Sequence, residues 1–175
     1  IVDHAPQDGG EPVSLFESGA ILLYLADKCG QFIPQDLRGR NNVVEWLMWQ
    51  MAGFGPMLVQ NHHFGHYAPE KIPYAIDRYL KETERLYGVL DDRLADRDYV
   101  AGDYSIADMA IYPWTVSHEK QGQDLDDYPN VKRWYRSIEQ RPAVVRAYQR
   151  GEGFAKPKFD DQVRSIMFGQ GRRKQ

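Results

Sequence analysis

Two adjacent polar residues, Glu17 and Ser18, lie where a short β-like stretch changes into a helical pattern. The start of a helix exposes backbone N–H groups and the positive end of the helix dipole, so it attracts carboxylates. The hydroxyl of Ser18 adds a donor, and the carboxylate of Glu17 suits an ammonium group. The pair therefore predicts a receptor for an amino-acid head group, which carries both charges on one carbon. Taken alone, the dipeptide favours a simpler role, in which Ser18 caps the helix and Glu17 complements its dipole.

Three histidines, His62, His63 and His66, form a second polar group, and the first and third are spaced by four residues. That spacing puts two imidazoles on one helix face, with the carboxylate of Glu70 nearby. The sequence has no HExxH pattern and no evident ligand from a further helix, so we predict no metal site. We expect these histidines and Asn61 to face an active-site cleft or to pack locally.

The composition excludes several classes of protein. Among 175 residues, 22 Lys and Arg stand against 25 Asp and Glu, a net charge of −3 that excludes a strongly basic nucleic-acid binder. The single cysteine, Cys29, excludes a disulfide framework and is compatible with a reducing cytosol. The apolar runs fall short of the ~20 residues that a membrane span needs. We expect the basic residues 172–174 to lie in a solvated tail.

The elements that must position these side chains begin with two short strands around a turn, because residues 1–16 enclose a segment rich in Pro and Gly. From Ser18 the apolar residues follow a helical period, and Gly30 after Cys29 is a C-cap signal. We expect residues 31–36, which contain Pro34, to be a linker. Two strands alone are marginally stable, and the chain opens on Ile rather than Met, so we expect it to begin inside a larger protein.

The rest of the chain reads as helical. The apolar spacing predicts helices over residues 38–54 (bent or broken near Gly53 to Pro56), 57–67, 73–95, 106–116 (interrupted by Pro113), 131–140 and 143–150. Ser105 and Asp108 have the spacing of a capping box, and Tyr104 and Met109 that of a hydrophobic staple. From Gly151 onward we expect an extended or mobile tail.

Three landmarks along the chain resemble the glutathione transferase family. They are Glu-Ser-Gly-Ala-Ile-Leu-Leu-Tyr-Leu at 17–25, the capping box within Tyr-Ser-Ile-Ala-Asp at 104–108, and Tyr-Pro-Asn-Val at 128–131 with the following Trp134 and Arg-Pro-Ala at 141–143. Residues 55–64 and 72–78 are similar to the nu-class branch, the glutathione-dependent disulfide-bond oxidoreductases that handle organic peroxides and disulfides.

The resemblance implies a fold class and a domain plan. Residues 1–29 would be a β-β-α remnant of a thioredoxin-like α/β domain, residues 30–36 a linker, residues 37–150 an all-α helical-bundle domain, and residues 151–175 a C-terminal tail. It also implies a cytoplasmic homodimer that binds glutathione or glutathione disulfide, with a small disulfide or peroxide as second substrate and with no metal, nucleic-acid or membrane partner.

The resemblance also implies site residues. Glu17 and Ser18 would hold the γ-glutamyl group of glutathione, and Arg78 would bind a glutathione carboxylate with its bidentate guanidinium. From the residues alone, Arg78 would be an exposed ion-pair partner of Asp77 or Glu82, and only the resemblance assigns it to glutathione.

The residues that stabilise the glutathione thiolate are expected upstream of Ile1, so no catalytic residue is assigned, and for these 175 residues alone we expect weak or no activity. Cys29 is expected to be structural. Two other functions stay open, namely conjugation of glutathione to electrophiles and a non-catalytic interaction module of the same fold.

Overall fold

The computed structural model describes residues 1–154 and 160–169, which form a short sheet followed by helices. This order confirms the predicted fold class, a β-β-α piece joined to an all-helical region. Among the described helices, none combines the length and the apolar character needed to cross a bilayer.

The sheet consists of β1 (Val2–Asp3) and β2 (Val13–Ser14), which pair antiparallel with Val2 opposite Ser14. The first helix, α1 (Ser18–Cys29), ends at Gly30, whose φ of 63° is the left-handed conformation that favours glycine at a helix C-terminus. Both strands, this helix and its glycine cap confirm the predictions from the sequence.

Asp3 ties the sheet to α1. Its carboxylate forms an ion pair with Lys28 and accepts a hydrogen bond of 2.7 Å from the hydroxyl of Tyr24. These two hydrogen bonds, the Lys28 bond first, lower the pKa of Asp3 from 3.8 to about 2. β1 is therefore joined to α1 through a charged contact and to β2 through two residue pairs.

The helices that follow alternate with short irregular turns. In chain order they are α2 (Leu37–Trp49), a π-helical turn (Gln50–Phe54), α3 (Gly55–His62), a second π-helical turn (His63–Tyr67), α4 (Pro73–Arg93), α5 (Ile106–Thr115), 3-10 turns at His118–Gln121 and Leu125–Asp127, α6 (Pro129–Glu139), α7 (Pro142–Glu152) and α8 (Asp161–Phe168).

The sequence predicted a bend or a break near Gly53 to Pro56. The break is wrong, because the chain continues from α2 into α3 through a π-helical turn, and the bend stays a prediction. The backbone N–H of Gly55 donates to the carbonyl of Gln50, which adds one residue to that turn. The proline ring would otherwise collide with the carbonyl four residues before it. The wider turn thus accommodates Pro56 without ending the helix.

Two further expectations are also wrong. Pro113 does not interrupt α5, which runs through it from Ile106 to Thr115. In the segment expected to be extended, Asp161–Phe168 forms α8, and the side chain of Asp160 caps it by accepting from the N–H of Val163 at 2.9 Å. The basic residues 172–174 lie outside the described residues.

The predicted capping box of α5 is confirmed and belongs to a buried cluster around Asp108. The carboxylate of Asp108 accepts hydrogen bonds from the N–H of Ser105 at 3.0 Å, the N–H of Val100 at 3.0 Å and the indole N–H of Trp134 at 2.8 Å. Burial raises the pKa of Asp108, and these donors act against that rise by favouring the carboxylate. The cluster fixes the start of α5 against α6.

The chain divides into two compact units, residues 1–136 and residues 137–175. The first unit carries the sheet, α1 to α5 and a core of fully buried side chains that includes Leu47, Phe54, Leu58, Leu90 and Trp134. The second unit contains the last residues of α6 with α7 and α8. The predicted domain boundaries after residues 29, 36 and 150 remain predictions.

Candidate functional site

Glu17 joins β2 to α1 in a backbone conformation that is strained for any residue except glycine. Its φ is 68° and its ψ is 118°, and a non-glycine residue in this region signals a constraint that the surrounding structure maintains. Glu17 is the N-cap residue of α1, yet its exposed side chain makes no capping hydrogen bond. The first-turn N–H groups of α1 are therefore available to an external acceptor.

Ser18 is the first residue of α1 and not its N-cap, so the simpler role that the sequence offered for it is wrong. Its hydroxyl oxygen lies 3.8 Å from the sulfur of Met51 in the first π-helical turn. A Cβ built on the buried Gly19 would approach Met51 to 3.2 Å. The small residue at position 19 therefore lets the start of α1 lie close against that turn.

Arg78 lies on α4, the helix Pro73–Arg93. Its guanidinium is 3.6 Å from the carboxylate of Glu82, and 53% of its side chain is exposed. The same carboxylate binds Arg85 at 2.7 Å, and the hydrogen bond from Arg85 is the main cause of its lowered pKa. Within residues 1–154 and 160–169, no hydrogen bond or ion pair joins Arg78 to Glu17 or Ser18. The structure thus shows the ion pair that the sequence offered as the alternative role of Arg78.

A cleft of 480 Å³ opens beside Trp114 in the first unit. Its lining comes from the end of α3, the second π-helical turn, the end of α5 and the 3-10 turn that follows, and consists of His62, Tyr67, Pro113, Trp114, Ser117 and Lys120. The rings of His62 and Trp114 lie 6.4 Å apart, and those of His62 and Tyr67 lie 6.5 Å apart. Aromatic walls with a few polar groups are typical of small-molecule sites.

Gln121 holds the main chain in place at Trp114, which lines this cleft. Its buried side chain donates to the carbonyl of Trp114 at 2.8 Å and accepts from the hydroxyl of Tyr87 at 2.7 Å. Its carbonyl accepts from the side chain of Asn61 at 3.2 Å, and Asn61 also donates to Thr83 at 2.9 Å. Burial raises the pKa of Tyr87, so its hydroxyl stays a donor.

Two buried polar atoms near Trp114, Oε1 of Gln50 and Nε2 of His62, have no hydrogen-bond partner among the described residues. Gln50 comes close to Trp114 at Gly55, where a built Cβ would lie 2.7 Å from Nε2 of Gln50 and 3.2 Å from the indole nitrogen of Trp114. The pKa of His62 is lowered by burial first and then by the charges of His66 and Lys120.

His63 and His66, the other two histidines of the group that the sequence pointed to, pack locally. The ring nitrogen Nε2 of His66 lies 2.5 Å from the carbonyl oxygen of Lys120, and the ring of His63 stacks edge-on against Phe64 at 4.9 Å. Within the described ranges, no three His, Cys, Asp or Glu residues come together as a metal site requires. That the protein takes no metal stays a prediction.

The sequence did not single out Gln50, Trp114, Lys120 or Gln121. The available signal was an aromatic residue after Pro113 in a capped helix, followed within six residues by a basic one. That signal does not specify a cleft, because the facing side chains come from residues about fifty positions earlier.

The family model of the glutathione S-transferase C-terminal domain matches residues 54–142. The chain is 56% identical over 148 residues to the disulfide-bond oxidoreductase YfcG of Escherichia coli (strain K12), an alignment that covers 84% of this chain and 69% of that protein. It is 48% identical over 144 residues to the disulfide-bond oxidoreductase YghU of the same organism, covering 77% of this chain and 50% of that protein.

Among solved structures, the fold is similar to a glutathione transferase from Burkholderia graminis, with a TM-score of 0.78 and 43% sequence identity. The match covers 91% of this chain and 67% of that one. That crystal structure holds two glutathione molecules per subunit. The chain therefore spans about half to two thirds of the length of these relatives.

Proposed function

The chain belongs to the glutathione transferase family. We propose that it binds glutathione at Glu17 and Ser18 and that the protein functions as a glutathione-dependent disulfide reductase that also reduces peroxides. The names of the two curated relatives support the reaction, and the glutathione molecules of the related crystal structure support the ligand.

The observation that carries the proposal is the strained conformation of Glu17. Its positive φ leaves the first turn of α1 without a side-chain cap and exposes the carboxylate beside it. The γ-glutamyl end of glutathione has an ammonium group for that carboxylate and a carboxylate for the first-turn N–H groups and the hydroxyl of Ser18. The free energy that this conformation costs is of the order of 1–3 kcal/mol, so a purely structural helix start would favour glycine.

Arg78 has a secondary role in the proposal. Its contact with Glu82 is long and solvent-exposed, so it contributes little to stability and leaves the guanidinium able to exchange Glu82 for a carboxylate of glutathione. Glu82 keeps its shorter contact with Arg85 in that exchange. These residues bind and orient glutathione, and we assign them no part in forming its thiolate.

The proposed chemistry is two successive thiol–disulfide exchanges. The thiolate of one glutathione attacks a sulfur of the substrate disulfide, forms a mixed disulfide and releases one substrate thiolate. The thiolate of a second glutathione then attacks the glutathione sulfur of that mixed disulfide, which releases the second substrate thiolate and yields glutathione disulfide. The substrate gains two electrons and two glutathione molecules lose them, so Cys29 does not take part.

We also infer a cytoplasmic homodimer. Cys29 is free and exposed, which suits a reducing compartment, and the family resemblance supports the dimer. Light scattering after size-exclusion chromatography measures the subunit number directly.

The function is tested with full-length protein in the presence of glutathione. Reduction of hydroxyethyl disulfide is followed by the formation of glutathione disulfide, and conjugation is followed with chlorodinitrobenzene. We expect turnover of the disulfide to exceed conjugation. Conjugation alone would contradict the reductase and favour a classical transferase, and failure to bind glutathione agarose would favour an interaction module.

A further inference from the structure

A pocket of 320 Å³ opens between the segment that follows α1 and the loop that precedes α5, within the first unit. The apolar part of its lining consists of Ile33, Pro34, Val43 and Ala101. The rings of Phe32 and Tyr104 also line it, with their centroids 6.0 Å apart and their planes at 87°. The two rings therefore form an aromatic corner, in a pocket whose volume lies at the lower end of the range for small-molecule sites.

The aromatic corner is built on a strained residue. Phe32 has a φ of 66°, in the left-handed region that favours glycine, and it is 41% exposed. Such conformations persist where the surrounding structure enforces them, and they cluster at functional sites. The carbonyl of Phe32 accepts a hydrogen bond of 3.1 Å from the N–H of Ile106 at the start of α5, which fixes its main chain. A large apolar ring thus lines the pocket at a position where the backbone would favour glycine.

The loop on the other side of the pocket is anchored as well. The carbonyl of Ala101 accepts a hydrogen bond of 3.0 Å from the side-chain amide of Asn42, and the carbonyl of Val100 accepts one of 2.7 Å from the guanidinium of Arg93. Both sides of the pocket are therefore held in place before a ligand enters. Such preorganisation reduces the conformational entropy that binding would otherwise cost.

The charge of the pocket is negative and uncompensated. Asp103 is exposed, and among the described residues that line the pocket it alone is an acidic or basic one. Within residues 1–154 and 160–169 its carboxylate forms no ion pair or side-chain hydrogen bond. A cation is the partner that this environment lacks, because the carboxylate and the faces of the aromatic rings both attract positive charge.

The apolar lining decides which kind of cation fits. A primary ammonium carries three N–H donors, and a donor turned toward Ile33, Pro34 or Val43 would lose its hydrogen bond to water without gaining another. A quaternary ammonium has no N–H donor. Its methyl groups can therefore contact apolar side chains and aromatic faces without that cost, as they do in aromatic cages.

From these contacts we propose that the pocket binds a small quaternary ammonium ion, with its methyl groups against Phe32 and Tyr104 and its charge beside Asp103. The lining does not include Glu17, Ser18 or Arg78. The proposal therefore does not depend on glutathione binding or turnover.

The test compares choline with 3,3-dimethylbutan-1-ol, which has the same shape but carries an uncharged carbon in place of the nitrogen. Ligand-observed NMR titration of the full-length protein gives both dissociation constants. We expect choline to bind about tenfold more tightly, as cation–π contacts and a nearby carboxylate allow. Equal affinities for the two probes, or no binding of choline, would overturn the proposal.

Asp103→Asn should reduce the preference for choline about fivefold and leave the affinity for the alcohol unchanged. Asp127→Asn is the matched control, because Asp127 is an exposed aspartate at the end of a 3-10 turn and lies outside the pocket lining. It should leave the preference intact. A preference that survives Asp103→Asn unchanged, or that Asp127→Asn lowers equally, would show that the cation does not bind beside Asp103.

Phe32→Gly tests the aromatic corner. The change removes one ring and permits the positive φ, so the variant should fold. We expect it to weaken choline more than the alcohol, since the cation loses its attraction to the ring face as well as an apolar contact. Equal weakening of the two probes would contradict the aromatic corner as the cation site.

Discussion

The hydroxyl oxygen of Ser18 lies 3.8 Å from the sulfur of Met51, a residue of the π-helical turn between α2 and α3. The preceding residue of that turn, Gln50, approaches Trp114 at Gly55. One irregular turn therefore supports both the start of α1 and a wall of the cleft. Single π-helical turns within α-helices often mark functional sites, and this position agrees with that tendency.

Replacing Glu17 should separate ligand binding from stability. Glu17→Gly removes the carboxylate but allows the positive φ, so we expect the free energy of unfolding to rise by up to about 1 kcal/mol. Glutathione affinity should fall about tenfold with the loss of a charged hydrogen-bond partner. Calorimetry and urea denaturation measure the two effects, with Glu11→Gly as the exposed control. Unchanged affinity in Glu17→Gly would contradict the proposed site.

Arg78 and Arg85 share the partner Glu82 and form a matched pair of variants. Arg78→Lys keeps the charge but loses the bidentate guanidinium, so glutathione affinity should fall about fivefold. Arg85→Lys should leave it unchanged, because Arg85 binds Glu82 at 2.7 Å and has no proposed ligand contact. Equal effects of the two variants on glutathione titrations would remove Arg78 from the site.

Gly55 leaves little room for a side chain. An added Cβ would lie 2.7 Å from Nε2 of Gln50, the end of a flexible side chain, and 3.2 Å from the indole nitrogen of Trp114, so we expect Gly55→Ala to be less stable than Gly88→Ala by about 1–3 kcal/mol. Gly88→Ala on α4 is the control, because its Cβ would meet no atom within 4 Å and the change should stabilise the helix by about 1 kcal/mol. Urea denaturation gives both values, and equal stability changes in the two variants would refute the steric argument.

The hydroxyl of Tyr87 should stabilise the protein through Gln121. Tyr87→Phe leaves the buried side-chain oxygen of Gln121 without its donor, at a cost of about 1–3 kcal/mol. Tyr74→Phe removes a hydroxyl from a side chain that is 79% exposed and should cost nothing measurable. If the midpoint of thermal unfolding shifts equally in the two variants, the hydrogen bond from Tyr87 to Gln121 does not stabilise the protein.

Acid should weaken the attachment of the sheet to α1. The pKa of Asp3 is about 2 in the folded protein against an ordinary 3.8, so its contribution to stability is complete above about pH 4 and is lost as the pH falls through about 2. The denaturant midpoint should fall as the pH is lowered from about 4 to about 2. Asp3→Asn should flatten that part of the pH dependence. An identical pH dependence in Asp3→Asn would assign the loss to other groups.

Local features of the chain were predicted well because their causes act over a few residues. The capping box at Ser105 and Asp108, the C-cap at Gly30 and the strand-to-helix junction at Glu17 each depend on neighbours within one helical turn. Proline was the weak point, since Pro113 predicted an interruption, and Pro56 a bend or a break, where the helices continue. A wider turn at Pro56 resolves the clash, and its formation depends on the packing around it.

The sequence by itself predicted the fold class. It also marked the pair Glu17–Ser18, Arg78 and the histidines as candidate residues, each at a separate place along the chain. Only the tertiary structure decided that Glu17 has a positive φ, that Arg78 contacts Glu82, and that His62 meets Trp114 and Lys120 in one cleft. The physical reason is distance along the chain. A cap or a turn is fixed by adjacent residues, whereas a cleft forms only where helices from separate segments pack and bury their apolar faces together.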